Sequence, residues 1–355
     1  MEVQPLKPPA DQGRQSTARP LPRTFIRGAV FFSLLLVAVV TAVVVHVVHG
    51  GREDAGAWSG PVDDALTRGV RGVALNDVAT MLGEARVTRA VLVPLPVVAR
   101  GGQIRVRAEL ASAARICHSW PDLLWVASPG YLTGQDGSGW SQIDAVKAVT
   151  AQGTWACIGP VVLRAADELT GPTTPSGIVT CNVDGTAVLK WFRFAGTRHV
   201  PVFIRWDVVG DKAALPRLER LLSDFKDVTF IVMHMGFGNP EQISEILGSH
   251  SNVYVTTSKR LWPGQRLRDG RLAAQQGPSL LDDRGVLRPV WRSVLIQYYD
   301  RVLFATDTST PQAWSAYDAA IRDGRHFLGQ FPHNVAQAIA WQNAERVFAS
   351  EHSTR

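Results

Sequence analysis

The chain has 355 residues, of which 46% are hydrophobic and 19% charged, a composition that excludes both a disordered chain and a multi-span transporter. Half of its formal net charge of +6 gathers at the N-terminus, where Lys7, Arg14, Arg19, Arg23 and Arg27 stand against Glu2 and Asp11. The remainder is only mildly basic, so charge gives no nucleic-acid-binding surface.

Residues 1–27 contain Pro, Gln and Arg without apolar periodicity and are predicted to form a disordered basic tail. From Ala29 to Val45 every residue is uncharged, and the stretch 28–48 supplies the ~20 residues that a bilayer's hydrocarbon core requires. This run is longer than the ~7–15 apolar residues of a signal peptide and no small-X-small cleavage site follows it, so it is read as one uncleaved transmembrane helix. Its basic flank precedes the span, which places the tail in the cytoplasm and everything after Gly50 outside, at the cell membrane. Residues 49–61, with Gly50, Gly51 and Asp54, read as a linker, and 62–350 remain for one large domain.

Within that domain short apolar runs alternate with amphipathic stretches. Strands are predicted at Ala90–Pro94, Leu123–Ala127, Val200–Ile204, Val228–Met233, Val253–Val255 and Val302–Ala305, and helices at Leu75–Ala85, Leu215–Phe225 and Pro240–Leu247. Near-continuous apolar strands are buried on both faces, as in a parallel sheet covered by helices. The alternation and the lack of a Gly-X-Gly-X-X-Gly fingerprint favour an α/β fold of the (β/α)8 TIM-like barrel type over an open dinucleotide-binding sheet.

In such a barrel the site lies where strands end. The polar residues that directly follow apolar runs are Arg205 and Asp207, His234, Arg260, and Asp307. An imidazole and a carboxylate on separate strands suit a divalent metal that acidifies a water. The plainer alternatives are a structural histidine for His234 and a helix N-cap for Asp307. Cys117, Cys157 and Cys181 have no zinc-like spacing and read as small buried hydrophobes, with at most one disulfide among them. Trp291, Trp314 and Trp341 read as residues that pack helices onto the barrel.

Four ordered segments, Phe230–Glu241, Asn252–Arg260, Asp300–Thr308 and Ile339–Phe348, resemble the C-terminal half of the amidohydrolase-related family. That family comprises metal-dependent hydrolases and decarboxylases on distorted (β/α)8 barrels. The resemblance implies that His234 and Asp307 are its sixth-strand His and last-strand Asp, catalytic residues and metal ligands. It also implies ligands that this chain lacks. No His-X-His pair occurs anywhere; His46 and His49 are spaced differently and lie at the end of the apolar span. Arg205 stands at the fifth-strand His, and Pro160 at the acidic position of the segment Gln152–Arg164. A guanidinium has no lone pair for a metal and is expected instead to pair with Asp207 or Asp307, so the expected site is an incomplete one, holding one zinc-like divalent ion or none. Arg205, Asp207 and Arg260 are then expected to bind a small anionic ligand. The expected protein is a membrane-anchored hydrolase acting outside the cytoplasm, with a catalytically inactive barrel, a pseudoenzyme, as the alternative.

Overall fold

The computed structural model describes residues 56–69, 73–93, 119–128, 156–165, 179–180, 186–208, 212–261 and 278–349. The predicted tail and span, together with Cys117 and Cys181, lie outside them. Among the described residues no helix is long and apolar enough to cross a membrane.

Among the described residues there are nine strands: β1 (Asp63–Arg68), β2 (Arg89–Val93), β3 (Leu124–Ser128), β4 (Cys157–Ala165), β5 (Val179–Thr180), β6 (Val202–Trp206), β7 (Phe230–Val232), β8 (Val253–Thr256) and β9 (Val302–Leu303). Eight of them pair in parallel in the order β1-β2-β3-β4-β6-β7-β8-β9, while β5 pairs antiparallel with β4. The ring closes through the backbone that follows β9. Ala65 N donates to Phe304 O at 2.9 Å, Asp307 N to Leu66 O at 2.8 Å and Arg68 N to Thr308 O at 2.9 Å. The fold is therefore the expected parallel α/β barrel.

Helices α1 (Leu75–Glu84), α2 (Thr186–Arg198), α3 (Ala214–Asp224), α4 (Pro240–Ser249) and α5 (Pro289–Gln297) follow individual strands. Beyond β9 come α6 (Pro311–Ser315), α7 (Tyr317–Leu328), α8 (His333–Gln337) and, after a π-helical turn at Ala338–Gln342, α9 (Asn343–Phe348). α4 begins as its sequence predicts. Asn239 and Gln242 form a reciprocal capping box, and Pro240 occupies the first turn, where its missing N–H costs nothing.

Strand side chains alternate between two cores. In β6, Val202 and Ile204 join the layer shared with the helices, while Phe203 joins the barrel interior. In β7, Phe230 and Val232 point to the helices and Ile231 inward. The interior is closed at its N-terminal end by α9, whose Phe348 packs on Trp125 and stacks on Phe203 at ring distances of 5.4 and 6.0 Å. Beneath this plug Arg89 Nη1 meets Glu345 Oε1 at 3.2 Å, and Asp63 is buried beside them.

The six predicted strands are present with shifted ends, whereas β1 escapes the apolar-run criterion. Asp63, Asp64, Thr67 and Arg68 interrupt its run, yet the first three are buried. Asp64 is held by the neighbouring elements: Oδ1 accepts from Leu66 N and Thr306 N, and Oδ2 from Thr306 Oγ1 and Tyr317 Oη. The two Thr306 donors tie the first strand to the end of the last, and Tyr317 ties it to α7. The predicted strand Val228–Met233 is shortened, because the chain leaves β7 at Met233 in a left-handed turn.

Candidate functional site

Two polar clusters form at the C-terminal ends of the strands. The first lies at β4 and β6. Since Arg205 and Asp207 are two residues apart in extended chain, they share the inward face with Phe203, and Arg205 Nη2 lies 3.3 Å from Asp207 Oδ2. Both side chains are buried, and Arg164 of β4 donates to the Asp207 carbonyl.

The second cluster joins β7, β8, β9 and β1. After β7, residues 234–237 all have positive φ: His234 +56°, Met235 +51°, Gly236 +55° and Phe237 +50°. Each of the three non-glycine residues costs roughly 1–2 kcal/mol in this region, and three sets of contacts offset that cost. Thr256 Oγ1 accepts the His234 N–H at 2.9 Å. Arg260 Nη1 donates to His234 O at 3.2 Å, and its Nη2 to Gly238 O at 2.9 Å and Pro278 O at 2.7 Å. Val208 N, just beyond β6, donates to Gly236 O at 2.8 Å. Gly236 is required sterically as well, since a Cβ there would stand 2.8 Å from Trp206 O.

The turn holds the His234 ring against the β8 mouth. Nδ1 lies 2.9 Å from Ser258 Oγ and 3.2 Å from Ser258 O, and Ser258 Oγ lies 2.8 Å from Thr256 Oγ1. Nε2 is thus the nitrogen that faces Asp307, 3.7 Å from Oδ2. Asp307 follows β9 with φ +54° and is joined by two cations. Arg68 Nε lies 2.6 Å from Oδ1, and Lys259 Nζ 3.0 Å from Oδ2. Burial alone would push the Asp307 carboxyl up, but Lys259, Arg68 and His234 together outweigh it and hold it well below the usual carboxylate range. It stays ionised at any physiological pH.

The sequence-predicted residues thus sit at one end of the barrel in two groups. His234 and Asp307 meet. Arg205 pairs with Asp207, and the cations bound to Asp307 are Arg68 and Lys259, neither of which the sequence reading selected. Arg260 is 1% exposed, lies over the rings of Trp291 and Phe237 at 5.1 and 5.9 Å, and directs both Nη atoms at backbone carbonyls. The helix N-cap near Asp307 is Thr310, whose Oγ1 accepts Ala313 N. Trp314 is buried and donates to Arg68 O at 3.0 Å, which steadies the strand end that carries Arg68. Cys157 is a buried thiol in the inner core.

A divalent metal fits this donor set poorly. Among the described residues no group of three or more His, Cys, Asp or Glu side chains is placed to hold one. The two candidates that do meet share their carboxylate with an ammonium and a guanidinium, neither of which has a lone pair to give.

These features define a closed parallel barrel with a polar site at the C-terminal mouth. The amidohydrolase family model matches residues 183–349, so the resemblance read from residues 228–348 is a match to that family and begins further upstream. No curated protein matches the chain. Among solved structures, an uncharacterised TIM-barrel protein from Bordetella bronchiseptica superposes with a TM-score of 0.53 at 15% identity, covering 82% of this chain and 100% of that one. A probable 2-pyrone-4,6-dicarboxylic acid hydrolase from Acinetobacter baumannii, with citric acid bound, gives 0.52 at 13% identity over 81% and 99%. A dihydroxybenzoic acid decarboxylase from a Polaromonas species, with bound manganese, gives 0.50 at 12% identity over 82% and 97%. At such identities the likeness is one of fold.

Proposed function

We propose that this domain is a small-molecule hydrolase of the amidohydrolase type, with His234 as the proton-transferring base and Asp307 as the carboxylate whose charge stabilises the imidazolium that forms. The observation that carries this reading is the approach of His234 Nε2 to 3.7 Å from Asp307 Oδ2, made by a turn held in the left-handed region. Such contacts are often long in ligand-free enzymes and tighten around a substrate. With Nδ1 on Ser258, proton transfer falls to Nε2. No step is assigned to a metal.

The substrate in this reading is a small anion, such as a carboxylate. Among the described residues the two mouth clusters hold the cations Arg68, Arg164, Arg205 and Lys259 against the carboxylates Asp207 and Asp307. The Lys259 and Arg68 side chains are 21% and 14% exposed, while Asp307 is fully buried, so an incoming ligand meets the cations first. Arg205 and Asp207 form the neighbouring ion pair at the mouth, while Arg260, bonded to three backbone carbonyls, holds the His234 turn in place. Residues 28–48 anchor the chain in the cell membrane with the barrel outside; protease added to intact cells removes the barrel, and removal of only the tail would reverse the orientation.

The test is turnover by the full chain in detergent across esters, lactones, amides and aromatic carboxylic acids. Hydrolysis or decarboxylation that His234→Ala and Asp307→Asn each abolish supports the proposal. A second reading, a non-catalytic binding barrel, is favoured by one observation, the complete burial of His234 and Asp307. Saturable binding of a carboxylate with no turnover on any substrate would select it.

A further inference from the structure

We propose that Lys259 and Arg68 form a built-in cation pair that stands at Asp307 in place of a divalent metal, and that the site is complete without a metal ion. The inference holds whether the barrel turns over a substrate or only binds one.

The pair is positioned by the fold and not by chance surface contact. Arg68 is the last residue of β1, the strand end where the family resemblance calls for a His-X-His pair and where this chain has Leu66-Thr67-Arg68. Its backbone is fixed on both sides, by its own N–H to Thr308 O at 2.9 Å and by the Trp314 indole on its carbonyl at 3.0 Å. Lys259 lies at the mouth of β8 in a left-handed conformation, φ +55°. It is the middle one of three consecutive residues that all serve this site. Ser258 meets the His234 ring at 2.9 Å, Lys259 meets Asp307 at 3.0 Å, and Arg260 meets the His234 carbonyl at 3.2 Å.

The geometry gives each Asp307 oxygen its own cation, Oδ1 the guanidinium and Oδ2 the ammonium. A metal bound to Oδ2 at the usual ~2.0–2.2 Å would stand close to the Lys259 ammonium and be repelled by it and by Arg68. Loss of the carboxylate has the opposite consequence, removing the negative charge that the guanidinium and the ammonium share. The interaction is therefore mutual, and a double-mutant cycle reads it.

The experiment uses the full chain purified in detergent from medium containing zinc and manganese. Elemental analysis is expected to give far less than one metal per chain, and added manganese or zinc is expected to leave the melting temperature unchanged. In the cycle, Asp307→Asn lowers the melting temperature by several degrees, and Lys259→Met introduced into that variant costs less than it does alone, or recovers part of the loss. A metal retained at one per chain through dialysis overturns the proposal, as do additive losses in the cycle. If Asp307→Asn does not fold, the metal content of the unmodified chain decides alone.

Discussion

Asp63 offers a test of the barrel interior that is independent of the mouth. It opens β1 at the opposite end of the strand from Arg68, is 1% exposed, and lies next to the Arg89–Glu345 pair under α9. Burial, then the charge of Glu345, push its carboxyl up to about 8, against a smaller opposing pull from Arg89. The folded state therefore prefers protonated Asp63, and the stability this contributes is fully present below the unfolded value of 3.8 and is lost as pH rises through about 8. The gap of about 4 units sets a ceiling of roughly 5–6 kcal/mol at 1.36 kcal/mol per unit, and relaxation around the site brings the expected effect to about 1–3 kcal/mol. Asp63→Asn keeps the shape and removes the titration. Melts of both proteins in pairs at pH 5, 6.5 and 8 should converge at the acid end, with the variant ahead at pH 8 by a few degrees, at roughly 2–4 °C per kcal/mol. Because Asp64, which burial pushes up to about 6, titrates in both proteins and Asp307 stays ionised in both, the difference reports Asp63. Identical pH dependence in the two would refute the buried, protonated carboxyl.

Gly236→Ala places a Cβ 2.8 Å from Trp206 O at a residue with φ +55° and should cost about 1–3 kcal/mol, seen as a lower melting temperature. Arg260→Met retains packing against Trp291 and Phe237 but leaves the carbonyls of His234, Gly238 and Pro278 without their donor, an expected loss of roughly 2–4 kcal/mol. Arg260→Lys should recover little of it, because one ammonium cannot span the three carbonyls that the guanidinium reaches, and denaturant midpoints compare the three proteins directly.

The barrel was legible because its inner strands are buried on both faces, which leaves apolar runs such as Val202–Ile204 and Phe230–Val232. β1 was not, since its carboxylates are satisfied by partners 242 and 253 residues away in sequence, Thr306 and Tyr317, which no local pattern reveals. At the mouth, His234 and Asp307 were identifiable from their places just after apolar runs and from the family resemblance. Of the two carboxylates that Arg205 could reach on the same logic, Asp207 and Asp307, the two-residue spacing on one strand face gives it Asp207. Lys259 could have been found: it stands between Ser258 and Arg260 directly after β8, the signal used for the other candidates. Arg68 could not, because the strand that it ends was not recognised.

Two side-chain cations, Arg68 and Lys259, hold the Asp307 carboxylate, and on the proposal above they stand where a metal otherwise would. Anomalous diffraction at the manganese edge, from crystals of the full chain grown with a manganese salt, tests it most directly. No anomalous peak is expected between His234 and Asp307, with the Lys259 ammonium and the Arg68 guanidinium on the two carboxylate oxygens. A peak at that position, with Lys259 swung away, would contradict it.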